Sequence, residues 1–121
     1  MSVKYQHDYI EVEPEDFPYT EEIAIGGISK LWTFQWNEVG QFFHVDIAEM
    51  DGTSIYHGEP LIPYQQLWRG LNILGLPAER IMPLDEAFQE QVLDPSTLNA
   101  TIRLAVLDHP GDEELLNNGG A

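Results

Sequence analysis

The chain has 121 residues, the size of one domain, and 43% of them are hydrophobic, enough for one modest core. Twenty-one acidic residues against five basic ones leave a formal net charge of -16, and there is no cysteine. That balance excludes binding to a phosphate backbone or an anionic lipid surface through a basic patch, and the missing thiols exclude a disulfide framework or a thiolate metal site.

No stretch is apolar for the length a transmembrane helix needs, and the first residues, MSVKYQHDYIEVEPED, lack the basic-then-apolar order of a secretory signal. The absence of cysteine suits a reducing cytosol, or a particle assembled there. Seven acids fall in residues 1–22, with Lys4 as their only cation. Residues 9–13 alternate and read as a strand that Pro14, lacking an N–H, would end. Residues 21–25 read as a second strand, followed by a Gly26-Gly27 turn.

Residues 28–37 and 42–50 alternate more strongly. Trp32, Phe34 and Trp36 share one face, as do Phe43, Val45 and Ile47. An antiparallel hairpin with the loop Glu38-Val39-Gly40-Gln41 sets Trp36 against Phe43, Phe34 against Val45 and Trp32 against Ile47. A slip by one residue would set Phe34 against His44 and lose the apolar wall, so the pattern specifies the register. Asp51-Gly52 then reads as a two-residue hairpin turn into a strand over 53–58, pairing Met50 with Thr53 and Ile47 with Tyr56. On the opposite face this places Asp46 across from His57 and His44 across from Glu59.

Residues 61–63 read as extended, and Leu67, Trp68, Leu71 and Leu74 are spaced for a short helix over 64–74, weakened by Gly70 and stopped by Gly75. Residues 79–84 read as a strand, and 88–93 fit no single element. Residues 97–107 alternate, with Leu98, Ala100, Ile102, Leu104 and Val106 on one side, and read as a strand. The polar, glycine-terminated stretch 108–121 reads as a loose tail. The expectation is one all-β domain over 1–121. It would be a small antiparallel sandwich or partly open barrel of six to eight strands with one short helix, flanked by the acidic segment 1–22 and the tail.

The aromatic face of residues 32–47 is read as a core wall. Each of its six large side chains contributes roughly 1.5–3 kcal/mol if buried, and their sum rivals the whole net stability of a small domain, about 5–15 kcal/mol. A stacking platform for bases would need a cationic groove beside it, which the charge count denies. As part of that wall, Trp36→Ala is expected to cost about 3–5 kcal/mol.

His44, Asp46, His57 and Glu59 are the metal ligands to weigh, but their spacing matches no zinc motif, and cross-strand His–Asp pairs are ordinary on a solvated sheet. Glu49-Met50-Asp51-Gly52 fails as a calcium loop, because its first position would be Ile47. There is no nucleophile elbow and no glycine-rich phosphate cradle followed by lysine. No catalytic, cofactor-binding or metal residue is assigned, no cofactor is expected, and the protein is not read as an enzyme.

The run WTFQWNEVGQFFHVDIAEMDGTSIYHGEPL resembles the baseplate plug proteins of contractile-tailed bacteriophages of the cyanophage type. Trp36, Asn37, Glu38, Gly40, Phe43, Asp46, Asp51 and Gly52 carry the likeness; residues 1–22 and 64–95 lie outside it. The resemblance implies a structural, non-enzymatic all-β virion protein of the tail baseplate that plugs the distal end of the tail tube. Its partners would be hub, tube, spike or tape measure proteins, and its setting before the virion would be the host cytoplasm. Any homo-oligomer must offset self-repulsion, and neither direct nucleic-acid binding nor membrane insertion is expected. The alternative is a soluble acidic β-domain that binds one basic protein partner, as an inhibitor does. Segments 1–22 and 108–121, polar and outside the core pattern, are the expected contact regions.

Overall fold

The alternating run at residues 28–47 builds the centre of the larger sheet. In the computed structural model, which describes residues 8–12 and 17–107, β2 (Tyr19–Ile25), β3 (Ile28–Asn37), β4 (Phe42–Ala48) and β5 (Ser54–Leu61) form an antiparallel meander in that order. A second antiparallel sheet has the order β1-β7-β6, from β1 (Asp8–Ile10), β7 (Arg103–Leu107) and β6 (Arg80–Leu84). The result is an all-β, sandwich-like fold of two open sheets. The expectations for residues 1–7, 13–16 and 108–121, the tail among them, lie outside the described residues.

The β3–β4 register is the expected one: Trp36 faces Phe43, Phe34 faces Val45, and Trp32 faces Ile47, with Asn37 and Phe42 closing the four-residue loop. The side chain of Asn37 accepts the Gly40 N–H at 2.8 Å, and its carbonyl accepts the Gln41 N–H at 2.7 Å. Five of the six wall residues are buried, Trp32 and Phe34 completely. Trp36 is half-buried, packing its ring on Phe43 with centroids 4.7 Å apart. It stands at the rim, where the wall meets solvent.

The facing sheet contributes Ile10, Ile81, Leu104 and Val106 to the same core, the end of β5 adds Leu61, and the connections contribute Leu67, Trp68, Leu93, Leu98 and Ile102. The smaller sheet is buried on its other face too, where Met82, Leu84, Ala105 and Leu107 pack with Tyr9 and Tyr64. That double burial explains why RIMPL and RLAVL read as nearly continuous apolar runs.

Four local readings differ. The Asp51-Gly52 hairpin has a three-residue loop, because Glu49 and Thr53 close it (Glu49 N–H to Thr53 carbonyl, 2.8 Å) and Gly52 alone adopts positive φ, 93°. An irregularity between Ala48 and Ile47 restores the expected Ile47–Tyr56 pair, and a second shift then sets Val45 against Glu59 and His44 against Pro60. His57 and Gly58 together oppose Asp46 in this bulge, with Gly58 at φ 84°. Beyond it every β5 side chain changes face, which turns Leu61 into the core.

The helix expected over 64–74 does not form. Tyr64, Trp68 and Gly70 adopt positive φ, and the segment spends its N–H groups on tertiary bonds: Tyr64 to the Pro83 carbonyl at 2.7 Å and Leu67 to the Ile81 carbonyl at 2.8 Å. It straps the outer edge of β6 instead, leaving Leu71 and Leu74 exposed. The last strand starts at Arg103 rather than at residue 97, since Asp94 holds a turn by accepting the Ser96 and Thr97 N–H groups. Leu98 and Ile102 still reach the core from that turn, but Ala100 is exposed.

Candidate functional site

The outer face of β4 and β5 carries the titratable cluster foreseen as His44, Asp46, His57 and Glu59. The bulge brings three of them together and removes the fourth. Asp46 Oδ1 lies 2.9 Å from His57 Nδ1 and 3.9 Å from His44 Nδ1, and the two imidazole centroids are 6.3 Å apart. The same Oδ1 accepts the Gly58 N–H at 2.7 Å, and Oδ2 accepts the Gln35 amide at 3.0 Å. Asp46 is thus a clasp on the bulge, with its oxygens already occupied. Glu59 has turned to the other side, where its carboxylate accepts the Trp68 backbone N–H at 2.7 Å. Among the described residues no group of three or more His, Cys, Asp or Glu side chains is arranged to hold a metal ion.

The cations among the described residues are committed to internal contacts. Lys30 Nζ sits 2.6 Å from Glu49 Oε1, Arg103 lies over the Tyr9 ring at 5.2 Å, and Arg69 and Arg80 have partners as well. Several carboxylates serve turns. The N–H groups of Glu90, Ala87 and Gln89 hold the Asp85 carboxyl below the usual range, and Ser96 does the same for Asp94. The Tyr9 phenol is pushed up by burial first and by its hydrogen bond to Glu86 second.

Other acids converge without serving a turn, although Glu21 also accepts the Tyr19 hydroxyl. Between β1 and β2, where the two sheets part, Glu11, Glu21, Glu22 and Glu79 face one cleft of about 420 Å³. A second cleft of about 260 Å³ adjoins it, sharing Ile25, Gly26 and Glu79, and is walled by Ile28, Trp32, Leu76 and Pro77. The Trp32 Nε1–H is buried without an acceptor. No spacing in the sequence unites these residues: only folding brings Glu79, from the loop ahead of β6, beside the acids of β2.

The two-sheet antiparallel β domain thus gathers acids at its open seam and engages its described cations internally. The family model described as cyanophage baseplate Pam3 plug gp18 matches residues 7–109, and the chain belongs to that family. No curated protein and no solved structure matches it.

Proposed function

We propose that this protein is a structural plug of a phage tail baseplate. It closes the distal end of the tail tube and docks on hub, tube, spike or tape measure proteins, without catalysing a reaction. The observation that carries the reading is the family match over residues 7–109. Residues 1–121 act as one unit, with no catalytic, cofactor or metal residue, assembled in the host cytoplasm before it enters the particle. The net charge of -16 supports docking on basic neighbours and keeps nucleic acid out of the plug surface.

Imaging an intact particle tests it. Density for the two-sheet domain on the tail axis within the baseplate is expected; density in the capsid, or virions that lack the chain altogether, would overturn the proposal. A salt series on the purified subcomplex tests the electrostatic part, since affinity that stays flat from low to high ionic strength would remove charge from the docking account.

A further inference from the structure

Four strands lie at the borders of the two sheets, and three are blunted. β6 is strapped by residues 64–67, β5 is broken by the Gly58 bulge and Pro60, and β1 is three residues long. The fourth, β2, runs straight for seven residues, with no proline or bulge in its pairing to β3. Among the described residues, no strand lies on its far side.

The turn fixes which backbone groups face outward. Gly26 and Gly27, at φ 61° and 80°, form a two-residue turn between the paired Ile25 and Ile28. The pair flanking such a turn exchanges hydrogen bonds, and pairs alternate from there. Ile25, Ile23 and Glu21 therefore spend their N–H and C=O groups on β3, whereas Thr20, Glu22 and Ala24 turn theirs away from it. The 2.9 Å approach of the Thr20 and Thr33 hydroxyls agrees, since side chains come closest in the pairs that do not exchange hydrogen bonds.

We infer that the outer edge of β2 receives an extended, lysine- or arginine-bearing segment of a neighbouring protein as an added strand. The inference rests on the plug reading only for where that neighbour resides. Two features select the occupant. Glu21 and Glu22 lie on the strand itself, Glu11 and Glu79 close the same cleft, and no cation among the described residues lines it. At the turn end, the adjoining cleft, whose one described cation Lys30 is paired with Glu49, has room for an anchoring apolar side chain beside Trp32 with its unpartnered Nε1–H. A second copy of this chain does not fit: antiparallel self-pairing about Glu22 sets carboxylate against carboxylate between two bodies of charge -16. Strand addition supplies the main-chain bonds, and the acids supply the sign.

The test uses the full chain and two synthetic peptides of equal charge, an alternating lysine–valine peptide and the same sequence N-methylated at every residue. Both satisfy the carboxylates, but only the first has the N–H groups of a ladder. The unmethylated peptide is expected to bind about tenfold tighter and to slow hydrogen exchange at Thr20, Glu22 and Ala24 while leaving the β5 amides unchanged. Ala24→Pro removes a donor that β3 does not use and should erase the difference between the peptides. Glu21→Lys with Glu22→Lys should weaken both. Equal affinities for the two peptides, protection centred elsewhere, or no binding of either would overturn the inference. Should Ala24→Pro fail to fold, the exchange map of the parent protein decides alone. The plug reading is judged by the particle image, so the two failures are distinguishable.

Discussion

Replacing Phe34 by alanine and, separately, Trp36 by alanine compares two aromatic residues on one face of one strand. Phe34 is completely buried, with its ring 6.1 Å from that of Trp32 and 6.3 Å from that of Tyr19. Its truncation loses the transfer free energy of the ring and leaves a cavity that the flanking indole and phenol cannot fill without leaving their rotamers. The expected cost is about 3–5 kcal/mol. For a chain of 121 residues each kcal/mol lowers the midpoint by roughly 3–5 °C, so Phe34→Ala should melt about 10–20 °C below the parent. Trp36 is half-buried and, among the described residues, has Phe43 as its ring partner, at 4.7 Å. Its loss combines one aromatic pair, about 0.5–1.5 kcal/mol, with partial burial, for roughly 1.5–2.5 kcal/mol, less than sequence alone suggests. Calorimetric melts of both variants, checked for two-state behaviour, decide the matter. A Trp36→Ala variant as destabilised as Phe34→Ala would refute the placement of the core boundary, and a Phe34→Ala variant melting within a few degrees of the parent would refute the core itself.

Iodide should quench Trp36 fluorescence and leave Trp32 and Trp68 shielded; a Trp36→Phe variant whose remaining emission is still fully quenched would contradict this. Gly58→Ala meets no atom within 4 Å, so its cost is backbone strain at φ 84°, about 1–2 kcal/mol, read from the denaturant midpoint. The lowered carboxyls of Asp85 and Asp94 contribute stability that is present above the ordinary carboxylate range near 3.9 and is lost as pH falls through their folded values. Relative to an Asp85→Asn, Asp94→Asn variant, the parent's advantage should therefore shrink on acidification below about pH 4; an advantage that grows there would reverse the sign of the argument.

What could be read from the sequence was whatever the chain decides locally. The β3–β4 register follows from strict two-residue alternation on both sides of a loop whose length admits one pairing, and Asn37 secures that loop with its own side chain. The Gly58 bulge was not legible as such: glycine inside an alternating segment signals irregularity, but the shift depends on Asp46 of another strand clasping the Gly58 N–H. Residues 64–74 carry apolar residues at helical spacing, yet the strap wins because the exposed edge of β6 offers acceptors that a helix would leave unused. The acidic cleft was illegible for a different reason. Single acids carry no periodic signal, and Glu11, Glu21, Glu22 and Glu79 meet only because the edges of the two sheets come together.

The sign of the charge gives the surviving edge its specificity. An unbroken seven-residue edge can pair with another chain, and most folds remove such edges. Here three borders are removed by a strap, a bulge with proline, and brevity, while the fourth is guarded by carboxylates alone. A carboxylate guard discriminates as the other three devices do not. It opposes another copy carrying charge -16 and favours a cationic strand. The contrast also sets the ionic-strength dependence. Raising salt should weaken the docking of a cationic segment and, by the same screening, relax the barrier to self-association. A light-scattering series on the isolated chain at rising salt, read beside the peptide titration, should show the two trends moving in opposite directions.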